Sequence, residues 1–321
     1  MKDLYGRTIE YMRISITDRC NLRCKYCMPD GVKLIPMDEI MSYEDIVLVC
    51  AEAVKLGITK FKITGGEPLV RRDCASLVRA IKEIPGAEQV TMTTNGVLLT
   101  EHLAELKNAG LDGVNISLDT LCRDRFEQIT GYDRIDQVLQ SVEEAVKTGM
   151  KVKINTVFQR GENDGEWESL VHLAKKYPVD VRFIELMPIG QGSHREMVSN
   201  AELLSLIKDK YPEISRDDAV HGNGPAIYYK IPGFSGGIGF ISAIHGVFCG
   251  QCNRIRMTST GELKPCLCYG ETVSVREAVK LKKHEEVKRI LEKAIEMKPK
   301  RHHFDREQMI TEHKTMVEIG G

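Results

Sequence analysis

The sequence predicts an α/β fold in which short parallel strands alternate with amphipathic helices. Three observations carry that prediction. Strand-patterned and helix-patterned runs alternate in six steps between residues 10 and 190. The connections KLG, NAG and KTG recur before three of the strands, as helix-stopping glycines do in αβ turns. Several strands are apolar on one face only, whereas a parallel strand covered on both sides reads as a continuous hydrophobic run.

Each element follows from its residues. MRISIT (12–17) is the first strand, with Ile14 and Ile16 facing one way and Arg13, Ser15 and Thr17 the other. SYEDIVLVCAEAVKLG is a helix, begun by a Ser42–Asp45 capping box and stopped at Gly57. FKIT (61–64) sets Phe61 and Ile63 opposite Lys62 and Thr64, and a helix over 72–83 follows. QVTMTTNG (89–96) is a strand, and a helix over 100–109 closes at Gly110. VNISLD (114–119) precedes helices at 123–130 and 135–148, the second closed by Gly149. VKINTVF (152–158), a helix at 166–176 and VDVRFIELM (179–187) finish the series. Such alternation implies right-handed crossovers and a parallel sheet.

Residues 190–245 are richer in Gly and Pro. CGQCNRIRMTSTGELKPCLCYG reads as a hairpin turning at Thr260-Gly261, and a charged helix is expected near 284–297. The tail after it lacks strong periodicity.

If the sheet curls with its helices outside, the polar faces line a cavity. Arg13, Lys62, Lys153 and Arg182 would then share it, and four cations need an anion among them. The plainer alternative is a one-sided sheet whose polar face meets water.

Hydrophobic residues at 42% and charged residues at 28% are ordinary for a globular chain, and a net charge of −1 gives no bias toward nucleic acid or anionic membrane. The N-terminal MKDLYGRTIEYMR has no apolar signal region, and no window approaches a membrane span. A cytoplasmic location is therefore expected, where thiols stay reduced. Six of the ten cysteines fall in two tight groups, which in a reducing compartment points to metal.

The first group, Cys20, Cys24 and Cys27, has C-x3-C-x2-C spacing just past the first strand, at the end where parallel sheets bind ligands. A closed zinc site needs a fourth ligand, which nothing nearby supplies and which would have to come from His102, Cys50 or a distant cysteine. A [4Fe–4S] cube on three thiolates keeps one iron open for a ligand. The second group, Cys249, Cys252 and Cys266, is C-x2-C-x13-C with Cys268 close behind. Zinc held by all four stays open here. Arg254 and Arg256 alternate onto one strand face and suit a phosphate or other anion.

The first motif, with Tyr26 before its last cysteine, resembles the radical S-adenosylmethionine (SAM) enzymes, and TGGEP (64–68) resembles their glycine-rich stretch. The resemblance implies a partial (β/α)6 barrel whose open cluster iron chelates SAM and whose electron releases a 5′-deoxyadenosyl radical. With TGGEPLVRRD, TTNG, VNISLD, RFIELMPIG, the C-terminal cysteines and the final Gly-Gly, the chain resembles the GTP 3′,8-cyclase family nearly end to end. That implies a radical SAM core over 1–230 and a C-terminal extension over 231–321 carrying a second [4Fe–4S] cluster.

By that resemblance Cys20, Cys24 and Cys27 hold the first cluster, and Cys249, Cys252 and Cys266 the second. Tyr26, Gly66, Ser117 and Met187 hold SAM. Arg13, Lys62, Thr93, Arg160, Arg182, Arg254, Ile255 and Arg256 hold GTP. Arg13, Arg254, Arg256 and the tail residues Gly320 and Gly321 take part in catalysis, two residues without Cβ being able to enter a crowded cavity. Lys62 stands where the family usually has arginine and Arg160 where lysine is common, which changes the phosphate grip. The implied reaction converts GTP to (8S)-3′,8-cyclo-7,8-dihydroguanosine 5′-triphosphate, the first step of molybdenum cofactor biosynthesis. Implied partners are GTP, a reductant protein such as a flavodoxin or ferredoxin, the next pathway enzyme and a second copy in a homodimer. The alternative is a radical enzyme maturing a peptide or modifying RNA, and low aromatic content disfavours RNA.

Overall fold

The architecture is that of a computed structural model, which describes the chain apart from Pro29, Asp30, Arg195, Val247 and Gly321 and the side chains of His194 and Glu307. The first strands and helices alternate as β1 (Tyr11–Ser15), α1 (Tyr43–Lys55), β2 (Lys60–Thr64), α2 (Cys74–Lys82), β3 (Gln89–Thr94), α3 (Leu99–Asn108) and β4 (Gly113–Ser117). Then come α4 (Arg123–Thr130), α5 (Ile135–Lys147), β5 (Lys151–Phe158), α6 (Trp167–Lys176) and β6 (Asp180–Glu185). The C-terminal part contributes α7 (Asn200–Lys210), β7 (Ser215–Asp217), β8 (Ile227–Lys230), β9 (Ile238–Ile241), β10 (Arg254–Met257), β11 (Glu262–Lys264) and β12 (Val273–Ser274). It ends with α8 (Arg276–Lys280), α9 (His284–Glu296) and α10 (Met316–Ile319).

The six sequence-predicted steps are present, and their caps are as expected. Ser42 and Asp45 form a reciprocal capping box on α1, and Gly57, Gly110 and Gly149 all take positive φ after their helices. One twelve-stranded sheet runs β12-β11-β10-β1-β2-β3-β4-β5-β6-β9-β8-β7. The hairpin at Thr260-Gly261 exists as β10 and β11, yet β10 also pairs parallel with β1, and β9 parallel with β6. The C-terminal region thus extends both edges of the six-stranded wall, which the motif spacing does not reveal.

The sheet curls. Arg182 on β6 lies close enough to Arg13 on β1 and Lys62 on β2 to shift both electrostatically, although a flat sheet would hold β1 and β6 roughly 24 Å apart at ~4.8 Å per strand. The outward faces, with Met12, Ile14, Phe61, Ile63, Val114, Ile116, Val152 and Ile154, join helix residues such as Val49, Leu77, Leu106 and Val138 in one apolar core. Burying each such side chain contributes about 1.5–3 kcal/mol. The polar faces point into the hollow, where Lys62 is 9% exposed and Arg182 is 7% exposed, while Arg13, Thr93 and Ser117 are half-buried. The one-sided sheet is thereby overturned.

Candidate active site

Strand register assembles the lumen. Arg256, Arg13, Lys62 and Thr91 are lateral neighbours across β10, β1, β2 and β3. Thr93 neighbours Asn115, which neighbours Lys153, and Asn155 neighbours Arg182. Burial first, then the other cations, pushes the Lys62 ammonium and the Arg256 guanidinium far below their ordinary pKa values. Among the described residues no carboxylate pairs with Lys62, Arg182 or Arg256. Lys153 differs. Its ammonium reaches Asp180 at 3.6 Å, the Tyr228 hydroxyl at 3.1 Å and the His221 carbonyl. His221 itself stacks on Tyr228 and faces Asp180 and Asp217, so this part of the lumen carries its own counter-charge.

The first cysteine loop is held from both sides. Arg23 N and Lys25 N donate to the carbonyls of Thr130 and Ile129, at the end of α4. Arg23 also returns hydrogen bonds to the Cys20 and Leu22 carbonyls. On the other side, Gly66 N donates to Thr17 O at 2.7 Å and Glu67 N to Arg19 O at 2.8 Å. A Cβ on Gly66 would stand 2.3 Å from Arg19 O. The glycine pair of TGGEP therefore lets two backbones meet.

Three buried carboxylates tie the strand ends together. Glu67 accepts from Leu69 N, Thr94 Oγ1 and Asn95 N, and burial pushes its carboxyl up to about 7. Asp119 accepts from the Tyr26 hydroxyl at 2.7 Å and Val157 N at 2.7 Å, and burial pushes it up to about 6. Glu185 accepts from Asn200 N, Ile244 N and His245 N. Asp119 and Glu185 lie within quoted motifs, but their linking role leaves no sequence signal.

The donor sets suit iron–sulfur clusters. All six cysteines are free thiols. Burial raises Cys20 to about 11 and Cys27 to about 12, and it raises Cys24 well above the usual thiol range, with Cys27 and Cys20 adding to it. Leu22 N and Asn95 Nδ2 point at Cys20 Sγ. In the second group His302 N donates to Cys249 Sγ at 3.3 Å and Lys298 Nζ to Cys252 Sγ at 3.5 Å. Burial pushes Cys252 up, but Lys298 and Arg254 outweigh it and bring the thiol to about 7. Such N–H···S contacts stabilise thiolate bound to iron. Among the described residues no three His, Cys, Asp or Glu side chains converge around a single metal-ion position. Cys268 is buried beside Ile189, Phe304 and Ile319 and accepts from His303 N.

The expected site residues divide by position. Arg13, Lys62, Thr93, Ser117, Arg182, Arg254 and Arg256 occupy inward-facing strand positions. Ile255 alternates outward into the apolar core. Arg160, two residues past the end of β5, is exposed and paired with Glu202 at 2.8 Å. Met187 packs beside the Cys268 cluster. Gly320 lies inside: Arg256 Nη1 donates to its carbonyl at 3.1 Å, and a Cβ there would meet Ser15 Cβ at 2.5 Å. Gly321 lies outside the described residues. Sequence reasoning missed Lys298, and Arg7, which reaches the Cys249 and Pro299 carbonyls; neither stands in a motif. Among the described residues no helix is long and apolar enough to cross a membrane.

Residues 14–174 match the Radical SAM superfamily, and residues 179–304 match Molybdenum Cofactor Synthesis C. GTP 3′,8-cyclase of Clostridium perfringens (strain SM101 / Type A) is 45% identical over 323 residues, covering 100% of both chains. That of Petrotoga mobilis is 43% identical over 326 residues with the same coverage. Streptococcus suis SuiB bound to S-adenosylmethionine superposes with TM-score 0.66 at 16% identity, covering 84% of this chain and 64% of that one. Histidine-tagged anSMEcpe with bound AdoMet gives TM-score 0.54 at 18% identity, covering 80% and 71%. These two establish the shared fold. The full-length relatives decide against a peptide- or RNA-modifying enzyme: the chain belongs to the radical SAM superfamily and, within it, to the GTP 3′,8-cyclase family.

Proposed function

We propose that this chain carries out the family's cyclisation, GTP to (8S)-3′,8-cyclo-7,8-dihydroguanosine 5′-triphosphate, inside the cationic lumen. One observation carries the assignment of the substrate pocket: Lys62, Arg182 and Arg256 are buried together, and no carboxylate among the described residues pairs with them. A triphosphate supplies the missing negative charge, and Arg13 belongs to the same wall. Thr93 and Asn115, joined side chain to side chain at 3.4 Å, offer polar contacts to the nucleoside.

Cys20, Cys24 and Cys27 hold a [4Fe–4S] cluster, and Tyr26, Gly66, Ser117 and Met187 surround the SAM it binds. When bound, this pair supplies the electron and the deoxyadenosyl radical that abstracts hydrogen from C3′ of GTP. Cys249, Cys252 and Cys266 hold a second [4Fe–4S] cluster next to Arg254, and Lys298 secures that segment through Arg254 O and Pro265 O. The protein's own contribution is placement and exclusion of water. Burial of the lumen cations, the reciprocal packing of Gly320 on Ser15, and the carboxylate ties at the strand ends keep the cavity rigid. Arg160 serves at most the rim.

We divide the chain at residue 230 by chemistry, core before and auxiliary centre after, while the sheet itself runs through both. A flavodoxin or ferredoxin as reductant, transfer of product to the next pathway enzyme, homodimerisation and a cytoplasmic location complete the proposal. The test is anaerobic reconstitution with iron and sulfide followed by addition of GTP, SAM and dithionite. About eight irons per chain and GTP-dependent 5′-deoxyadenosine with the cyclic nucleotide support it. Half that iron with full turnover removes the second cluster, and cleavage of SAM without a GTP product removes the substrate assignment.

A further inference from the structure

The tail that brings Gly320 to Arg256 crosses β11 before it reaches the lumen, and there it is fastened by a buried ion pair. Lys264, on β11, is wholly buried, and its ammonium contacts the Glu312 carboxylate and donates to Tyr269 O at 3.0 Å. Glu312 is buried too, and its other oxygen accepts from Lys314 N at 2.8 Å. Alongside, Lys314 pairs with Glu262, and Thr311 N donates to Cys268 O at 3.2 Å. Beyond this anchor the chain is wound into α10 by a Thr315–Glu318 capping box, with Val317 and Ile319 buried.

Register gives the anchor its meaning. Lys264 is the cross-strand partner of Arg256. The same pair of strands therefore grips the tail at its root, through Lys264, and at its tip, through Arg256. The tip has little tolerance, since Gly320 sits at φ 88 against Ser15. A buried ion pair is a poor source of stability but a good source of register, because a shifted chain leaves a charge unpaired.

We propose that Lys264 and Glu312 are positioning residues for the cyclisation: the pair sets the register of the C-terminal strap, so that Gly320 lands on Arg256 and the GTP end of the lumen is closed. This rests on the reading that the lumen takes GTP. Loss of the pair leaves both cysteine groups and the SAM side in place, and it frees the strap.

The experiment uses the reconstituted holoenzyme. Glu312→Gln keeps the size and removes the charge. It should raise amide exchange at Ile319 and Gly320 by about tenfold or more. It should also lower kcat for GTP cyclisation by about tenfold, with iron content unchanged and 5′-deoxyadenosine formed without GTP within about twofold of wild type. The swapped variant Lys264→Glu/Glu312→Lys should recover part of both losses, and Lys264→Met/Glu312→Leu, which packs without charge, should restore folding but not register. Unchanged exchange at Gly320 in Glu312→Gln overturns the inference, as does faster exchange with full cyclisation. Gly320→Ala separates the two ideas. If it cripples cyclisation while Glu312→Gln does not, the tail reading stands and the anchor fails; if Gly320→Ala is fully active, the tail has no part in closing the site.

Discussion

The Tyr26 hydroxyl donates to Asp119 Oδ2 at 2.7 Å, joining the first cysteine loop to the end of β4 across 93 residues of sequence. Burial raises the Asp119 carboxyl from 3.8 to about 6, while the tyrosine stabilises its charged form. Tyr26→Phe should therefore cost about 1–3 kcal/mol of stability where Asp119 is ionised. The sign follows from linkage: a carboxyl with a raised folded pKa binds its proton more tightly when folded, so its contribution falls as pH climbs from about 4 to 6. The deficit should be larger at pH 8 than at pH 5. Urea midpoints at the two values check it, and equal deficits contradict it.

Gly66→Ala should reduce iron at the first cysteine group and destabilise by about 1–3 kcal/mol, because the added methyl meets backbone at 2.3 Å, not a flexible side chain. Gly165→Ala is the control, since nothing lies within 4 Å of its Cβ position. Iron per chain after identical reconstitution reads the difference.

Removing a lumen cation should have opposite effects on stability and on turnover. Lys62 is buried among Arg182, Arg13 and Lys153. Lys62→Met should raise the unfolding temperature of the ligand-free protein by a few degrees, about 1 kcal/mol, and raise KM for GTP about tenfold. A variant less stable without ligand shows that the cations do not repel as argued.

The four C-terminal cysteines should not be equivalent. Serine at Cys249, Cys252 or Cys266 should remove about four irons per chain, whereas Cys268→Ser, changed inside an apolar cluster, should keep them and lose only packing. Iron loss at Cys268 equal to the other three makes it a ligand.

Asp217 accepts from His221 Nε2 at 2.7 Å and pairs with Lys230. A backbone N–H from Ala219, then His221 and Lys230, hold its carboxyl down to about 2. A depressed carboxyl contributes stability above its unfolded pKa that is lost as pH falls through the folded one. Asp217→Asn should thus be less stable than wild type at pH 7, and the gap should close between about pH 4 and pH 2. A gap independent of pH assigns the effect to packing.

Periodicity and caps made the six-step wall legible, because alternation in RISIT, FKIT, VNIS and VKIN states directly which face is buried. The lumen cations were legible for the same reason: Arg13 and Lys62 could only be polar-face residues. Long-range pairing was not. Nothing in RIRM says that it will lie beside YMRIS, since a short strand matches any edge of the right polarity. Motif spacing located the cysteines, but nothing in TGGEP says that its second glycine packs against the Arg19 carbonyl. Lys298 and Lys264 sit among dozens of other charged residues, and only burial distinguishes them.

That β10 stands next to β1 has a consequence for biosynthesis. Asn253 Nδ2 reaches Glu10 Oε1 across 243 residues of sequence, so the wall beside Arg13 arrives only when the chain is four-fifths synthesised. Until then the nascent polypeptide leaves one edge of β1 unpaired. Contacts this remote make closure slow; metal loading of the first loop before the ribosome has finished would meet a half-built vessel.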